Sequence, residues 1–157
     1  SAQRMAMEVA EGLGGLKLGW FRLNFNYFIS EATFEYVVEA VHLVAGEGWK
    51  LLPLYRFDPF SGQWHHREGR MRPAISLHDV RYETGEMEFR GQTATAPESA
   101  LARQFEEARR VVERFEQSVE DEDEIVDEEL GPDFERLRWF PLPGEALRDV
   151  RAAAGAR

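Results

Sequence analysis

Two stretches of the chain carry apolar residues at the three-to-four-residue spacing of an amphipathic helix. The first begins after Ser30, a residue type that often caps helix N-termini, and ends at Gly46-Glu47-Gly48. Its apolar positions are Phe34, Val37, Val38, Val41, Val44 and Ala45. The second covers residues 97–117, and its apolar positions are Leu101, Phe105, Ala108, Val112 and Phe115. These spacings predict two helices, each with one face packed against the rest of the protein.

Residues 19–28 show a different pattern, in which large apolar and polar side chains alternate. In an extended strand such alternation places neighbouring side chains on opposite faces. The apolar face would hold Phe21, Leu23 and Phe25, and the polar face would hold Arg22, Asn24 and Asn26. The pattern therefore predicts a half-buried strand immediately before the first helix.

Turn residues between other apolar stretches predict two hairpins. The predicted strands are Trp49–Phe57 with Gln63–Arg67, and Ile75–Tyr82 with Glu86–Arg90. The remaining predicted elements are the end of a helix at residues 3–13, a short strand or turn at Phe134–Phe140 and a short helix at Pro143–Ala154. This order predicts a single α+β domain over residues 1–157, in which an antiparallel sheet with hairpins packs against helices.

Charge is concentrated in one short segment. Residues 120–129 hold eight acidic groups and no basic one, so the net charge of −10 falls to −2 when this segment is set aside. Like charges with few apolar anchors predict a mobile, solvated acidic segment over residues 119–129. The sequence shows no basic face of the kind that binds nucleic acid. The acidic segment also lacks the spaced ligands and turn glycine of a calcium-binding loop.

The composition limits the chemistry and the cellular location. There is no cysteine, so disulfides and thiolate catalysis are excluded. No stretch approaches the length of apolar sequence that crosses a membrane, and no signal-peptide pattern opens the sequence. We therefore expect a cytoplasmic protein that binds neither membranes nor nucleic acid.

Several short motifs resemble functional sites, but each is better explained by a purely structural role. His65 and His66 would point to opposite faces of a strand, so they would not chelate one metal ion. The glycines of GLGGLKLG precede the predicted strand instead of following it, which excludes a dinucleotide-binding loop. His78-Asp79 has no serine nucleophile motif to accompany it, and His42 lies on the charged face of its helix. We expect no metal site and no catalytic residue in this chain.

Arg22 admits two interpretations. A guanidinium group can bind a carboxylate through two parallel hydrogen bonds, which makes Arg22 a candidate anion-binding residue. The alternation of the strand also explains a polar residue at this position without any ligand. The pattern alone leaves both interpretations open.

The stretch WFRLNFNYFISEATFEYVVEAV, residues 20–41, resembles the start of the C-terminal small domain of class V, fold-type I enzymes that use pyridoxal phosphate. These enzymes include aminotransferases, cysteine desulfurases and selenocysteine lyases. Their strand pattern R-x-S is matched by Arg22 with Asn24 in place of serine, and Phe28-Ile29-Ser30 replaces a Tyr-Asn-Thr-like triplet. The continuation LVAGEGWKLLPLYRFDPFSGQW resembles one long branch of the family. SLHDVRY, residues 76–82, resembles the C-terminal extension of the same branch. APESAL, residues 96–101 at the start of the long helix, resembles it as well.

The resemblance implies a division of the chain and a role for one residue. Residues 1–74 would correspond to the family's C-terminal domain, and residues 75–157 would be a C-terminal extension with the long helix 97–117 and the acidic segment. Arg22 would bind the carboxylate of an amino-acid substrate, and a homodimer is the usual assembly of such enzymes. The cofactor of the parent enzyme would be pyridoxal phosphate.

The lysine content restricts what this chain would do by itself. Pyridoxal phosphate forms a Schiff base with a lysine, and only Lys17 and Lys50 are present, neither in the His-Lys context of the family. We therefore expect a fragment that holds no cofactor, is inactive alone and lacks its large, cofactor-bearing domain. The alternative is a stand-alone interaction or regulatory domain, which would bind a basic partner through helix 97–117 or the acidic segment.

Overall fold

The computed structural model describes residues 12–69, 76–89 and 96–156. Within these ranges the α-helices are α1 (Glu31–Glu47), α2 (Leu101–Ser118), α3 (Pro132–Leu137) and α4 (Pro143–Gly155). The strands are β1 (Tyr55–Asp58), β2 (Gln63–His66), β3 (Val80–Arg81) and β4 (Glu88–Phe89). Short 3-10 helices occupy Gly14–Leu16, Gly48–Leu54, Leu77–Asp79, Glu98–Ala100 and Val119–Asp121. The fold is α+β, as predicted.

The strands form two separate two-stranded antiparallel sheets, β1 with β2 and β3 with β4. The first hairpin pairs Tyr55 with His66 and Asp58 with Gln63. Its turn contains Gly62 at φ +71°, a backbone conformation that favours glycine. Both predicted hairpins are confirmed within the described residues, although their strands are shorter than predicted. Ile75 and Arg90, which were expected in the second hairpin, lie outside the described residues.

Helix α1 follows the sequence prediction closely. The Ser30 hydroxyl accepts a hydrogen bond from the backbone N–H of Thr33 at 3.1 Å, as an N-cap does, and Gly48 forms the C-cap. The same hydroxyl donates to Glu98, just before α2. This contact ties the start of α1 to the start of the second long helix, so the two predicted helices are confirmed and lie beside each other.

Two predicted elements differ in part from the structure. Residues 49–54 form part of a 3-10 helix instead of the start of a strand, and Pro53 lies inside it. Proline has no N–H to donate to a strand ladder, so the extended strand begins only at Tyr55. The helix Pro132–Leu137 covers the first part of the strand or turn predicted at residues 134–140. Pro132 occupies its first turn, a position that proline favours, and Asp133 adds a favourable negative charge there.

The predicted strand over residues 19–28 is not formed either. No strand is assigned there, and residues 27–28 form a turn. A strand needs a neighbouring backbone to exchange hydrogen bonds with, and no described residue supplies one. The helix predicted over residues 3–13 lies almost entirely outside the described residues.

The hydrophobic core lies where α2, α4 and the 3-10 helix Gly48–Leu54 meet. Its buried side chains are Phe115, Val119, Leu147 and Val150, with Trp49, Leu51, Leu54, Ile125 and Ala154 packed around them. Lys50 crosses the edge of this core and forms ion pairs with Glu116 at 2.6 Å and with Glu47. The second half of α2 therefore packs within the protein.

The acidic segment is anchored to the body at several points. Asp127 accepts a hydrogen bond from the backbone N–H of Gly144 at 2.9 Å, in the first turn of α4. Arg151 donates to the carbonyl oxygens of Val119 at 3.2 Å and Glu122 at 2.7 Å. The acidic side chains are mostly exposed, as expected, but Ile125 packs against the core and the backbone follows the protein surface.

A close approach of two backbone segments holds the start of the described chain in place. The N–H groups of Gly14 and Gly15 donate to the carbonyl oxygens of Phe60 at 2.9 Å and Pro59 at 2.8 Å. Leu16, the next residue, is fully buried. The glycines of GLGGLKLG therefore have a packing role, because they let this backbone lie directly on the β1–β2 turn.

Replacing Gly15 with alanine is expected to destabilise the protein. A Cβ at this position would lie 2.6 Å from Cζ of Phe57 and 2.9 Å from the carbonyl oxygen of Pro59. Overpacking of this kind costs about 1–3 kcal/mol, measurable as a lower free energy of unfolding in urea. The matched control is Gly19→Ala, since nothing lies within 4 Å of a Cβ there. Equal stability of the two variants would refute the close-approach argument.

The stability of the fold is expected to fall in acid through Glu145. Hydrogen bonds from Arg138 and from the backbone N–H of Leu142 hold the pKa of Glu145 below its ordinary value of 4.5. A carboxyl group whose pKa is lowered by folding stabilises the protein above its unfolded pKa, and this contribution is lost as the pH falls through the folded pKa. The Glu145→Gln variant should therefore lose less stability than the wild type when urea unfolding is compared at about pH 7 and pH 3. This role would be contradicted if Glu145→Gln and the wild type lost the same free energy of unfolding between the two pH values.

Candidate functional site

Arg22 lies in the irregular stretch between Gly14-Gly15 and α1, and its side chain is exposed. Its guanidinium carbon is 5.2 Å from the ring centroid of Trp20, which is within the range of a cation–π contact. Trp20 is itself 78% exposed, so it shields one face of the guanidinium and leaves the rest open to solvent.

Residues 20–25 form no strand, but their side chains still point alternately to two sides, as predicted. Phe21 and Leu23 line a groove together with α1, and the ring of Phe25 lies 5.1 Å from that of Phe34 on the same helix. Trp20 and Arg22 instead contact each other. The odd-numbered residues therefore face α1, while Trp20 and Arg22 form a second face.

The groove between residues 21–23 and α1 is lined almost entirely by apolar side chains. It has a volume of about 360 Å³, and α1 contributes Tyr36, Val37, Val41 and Val44 to its lining. We call it the apolar groove. No residue of α1 is fully buried, and Phe21 and Val44 remain 76% and 69% exposed. The sequence signal for this surface was the apolar stripe of α1, which the protein's own core covers only in part.

The backbone beside the groove also lacks a backbone partner within the described residues. Among the described ranges of the chain, residues 18–25 exchange no backbone hydrogen bond with any other residue. The next such bond runs from the N–H of Ile29 to the carbonyl oxygen of Asn26, at 3.2 Å, inside the turn that precedes α1. Residues 18–25 are therefore exposed, and their N–H and C=O groups have no backbone partner among the described residues.

Arg22 has the properties that carboxylate binding needs. No carboxylate within the described part of the chain forms an ion pair or hydrogen bond with its guanidinium. Its donors are therefore not engaged by any carboxylate of the described residues, and a guanidinium can donate two parallel hydrogen bonds to a carboxylate. The geometry agrees with both sequence interpretations, since Arg22 lies on the open face and contacts Trp20 there but no described carboxylate.

The histidine motifs have structural surroundings. His65 and His66 point to opposite faces of β2, as predicted, and the His66 ring packs against Tyr55 with centroids 5.2 Å apart. Asp79 accepts a hydrogen bond from the N–H of Ser76 at 3.0 Å and so completes a capping box, instead of orienting His78. Within residues 12–69, 76–89 and 96–156, no three His, Asp or Glu side chains are placed to bind a metal ion.

Neither lysine provides a site for pyridoxal phosphate. Lys50 is held by Glu116 and Glu47, and these hydrogen bonds raise the pKa of its ammonium group above the usual 10.5. A Schiff base requires the neutral amine, which this environment disfavours. Lys17 is exposed on the surface, next to the buried Leu16. The described residues therefore do not form a site for the cofactor.

Comparison with family models, with curated proteins and with solved structures gave no match for this chain. Among the helices of the described ranges, none is both long and apolar enough to cross a membrane. The functional interpretation therefore depends on the residues of the chain itself.

Lys50 is expected to react more slowly than Lys17 with an amine-directed reagent such as an N-hydroxysuccinimide ester. Its raised pKa leaves less free amine at a given pH, and its side chain is only 13% exposed. Peptide mass spectrometry at about pH 8 would measure both rates in one sample. The Glu116→Gln variant should speed labelling of Lys50 and leave Lys17 unchanged. Equal rates for the two lysines in the wild type would contradict the ion-pair description.

Proposed function

We propose that this chain is the C-terminal small domain of a class V, fold-type I enzyme that uses pyridoxal phosphate. In this proposal Arg22 binds the carboxylate of the amino-acid substrate. The resemblance of residues 20–66 to that family suggests the role. The observation that carries it is the free, exposed guanidinium of Arg22, which has no carboxylate partner among the described residues.

The surroundings of Arg22 suit a residue that positions a substrate. Stacking on Trp20 restricts the long side chain before a ligand arrives, which lowers the entropy lost on binding. Asn24, two positions further along, supplies a neutral amide where the family pattern has serine, so it adds no competing charge. A guanidinium held in this way would bind a carboxylate through two parallel hydrogen bonds and fix the orientation of the amino acid.

The cofactor belongs to a different part of the proposed enzyme. The described residues do not fit pyridoxal phosphate, because Lys50 is engaged by two carboxylates and Lys17 is a surface residue. The role proposed for this chain is therefore limited to binding and orienting the substrate, and the chain alone is expected to be inactive. A large domain with the anchoring lysine would supply the cofactor.

The Arg22→Ala variant of the parent enzyme tests this role. A charge-assisted pair contributes about 1.5–3 kcal/mol, so KM for the amino-acid substrate should rise about 10- to 100-fold. KM for the corresponding decarboxylated amine should change little, because that molecule has no carboxylate to bind. Steady-state kinetics with both compounds would measure the two effects.

The control for this experiment is Arg103→Ala, which removes an exposed arginine of α2 far along the chain. It should leave both KM values unchanged. Equal losses for the amino acid and the amine in Arg22→Ala would refute the carboxylate role, since the residue would then act on folding or on the whole active site.

A stand-alone interaction domain is the second candidate, and the open apolar groove favours it. Helix α2 is a less suitable docking face than the sequence suggested, because Val112 and Phe115 are already buried in the core. Sequencing the gene upstream of residue 1 separates the two candidates. A preceding domain with an anchoring lysine supports the enzyme, and an initiator methionine in place of Ala2, immediately before residue 3, supports the interaction domain.

A further inference from the structure

A cavity of about 250 Å³ lies between the first hairpin and the acidic segment, and we call it the hairpin cavity. The hairpin lines it with β1 and Arg67, the acidic segment with residues 125–128, and α4 with Pro143 at its start. Among its described lining residues, none belongs to residues 18–25 or to α1. The hairpin cavity is therefore separate from Arg22 and from the apolar groove.

The guanidinium of Arg67 is fixed at this cavity by the backbone of the hairpin. Its Nε donates to the carbonyl oxygen of Tyr55 at 3.3 Å, and the backbone N–H of Arg67 donates to the carbonyl oxygen of Leu54 at 2.8 Å. No carboxylate of the described residues pairs with Arg67 or with Arg56, which also lines the cavity. A guanidinium can donate two parallel hydrogen bonds to a carboxylate.

A carboxylate of the acidic segment is fixed at the same cavity. Oδ1 of Asp127 accepts a hydrogen bond from the backbone N–H of Gly144 at 2.9 Å, in the first turn of α4. A Cβ at Gly144 would lie 2.6 Å from Oδ2 of Asp127, so the glycine lets this carboxylate pack directly against the helix. Glu128, beside it in sequence, is exposed and also lines the cavity. The hairpin cavity therefore offers groups that bind an ammonium ion as well as groups that bind a carboxylate.

The opposite charges of the hairpin cavity do not neutralise each other. In the part of the chain that the structure describes, no ion pair joins the two arginines to the two carboxylates. The cavity is also lined by apolar side chains, among them Phe57, Ile125 and Leu142. An ion of either sign alone would be repelled by one of the two charged groups. A complementary ligand carries one positive group, one negative group and an apolar body.

We propose that the hairpin cavity binds a small zwitterion, an α-amino acid with an apolar side chain. Arg67 binds its carboxylate, Asp127 binds its ammonium group, and Phe57 and Ile125 contact its side chain. An α-amino acid carries both charged groups on one carbon atom, so both fit within one small cavity. The inference does not rest on the proposed enzymatic function, because Arg22 is not among the residues that line this cavity.

A titration of the full chain with L-leucine, followed through the backbone amide signals in NMR spectra, tests the proposal. We expect a Kd of about 1 mM or below, which is attainable for a ligand of this size. The largest changes in chemical shift should fall on residues 55–57 and 125–128, and the signals of residues 20–26 should not move.

Two analogues of leucine are the matched ligand controls. The anion 4-methylpentanoate lacks the ammonium group, and 3-methylbutylamine lacks the carboxylate. Each should bind at least about tenfold more weakly than L-leucine, because each loses one charge-assisted hydrogen-bonded pair and meets a like charge in the cavity.

Two variants assign the charged groups. Asp127→Asn removes the charge but keeps an oxygen that can accept from the N–H of Gly144, so the start of α4 keeps its hydrogen bond. It should weaken L-leucine binding about tenfold and should not weaken binding of 4-methylpentanoate. Arg67→Gln should weaken L-leucine binding to a similar degree and should not weaken binding of 3-methylbutylamine.

Two further variants are the protein controls. Arg81→Gln removes an exposed arginine of the second hairpin and should leave the Kd for L-leucine unchanged. Arg22→Ala should also leave it unchanged, which separates this proposal from the carboxylate role of Arg22.

Three results would overturn the proposal. The first is a spectrum that does not change in the presence of L-leucine at about 10 mM, well above the expected Kd. The second is 4-methylpentanoate binding as tightly as L-leucine, which would show a site for anions only. The third is L-leucine binding that is lost in Arg22→Ala and kept in Arg67→Gln, which would place the amino acid at Arg22 instead.

Discussion

The position of Arg22 depends on the contact between Gly14-Gly15 and the turn after β1. Two backbone hydrogen bonds of 2.8–2.9 Å join the segments, and a methyl group on either glycine would meet Phe57 or Phe60. Leu16 is buried next to this contact. The position of the chain is therefore fixed at Gly14-Gly15. From there it runs along α1 before it reaches Ser30, the N-cap of that helix.

The two ends of the segment between the anchor and α1 limit where its side chains can lie. The odd-numbered apolar residues face α1, and Phe25 packs against Phe34. Trp20 and Arg22 are left on the outer face, in contact with each other. One short segment thus presents a cation on one side and an apolar groove on the other.

The sequence predicted local features better than it predicted pairing. Ser30 was identified as an N-cap from its residue type, and the apolar spacing of both long helices was sufficient to find them. The strand predicted over residues 49–57 was wrong only in its first part, residues 49–54, because Pro53 cannot donate to a strand ladder. For residues 19–28 the alternation was correct, but a strand also needs a second backbone, and no local pattern shows whether one is present.

The candidate site was predicted only in part, for a similar physical reason. Arg22 was identified from its place in the pattern and from the family resemblance. Its stacking on Trp20 and its lack of a carboxylate partner depend on the folded positions of other residues. The role of Gly14-Gly15 was missed because the atoms that make glycine necessary belong to Pro59 and Phe60, more than forty positions away. The apolar groove likewise became visible only when α1 was found to be covered on one side alone.

The most direct test of the account is a crystal structure of the parent enzyme with a bound amino-acid substrate analogue. The account predicts that the guanidinium of Arg22 donates two hydrogen bonds of about 2.7–2.9 Å to the analogue's carboxylate. A carboxylate bound by another cation, with Arg22 still directed into solvent, would contradict it.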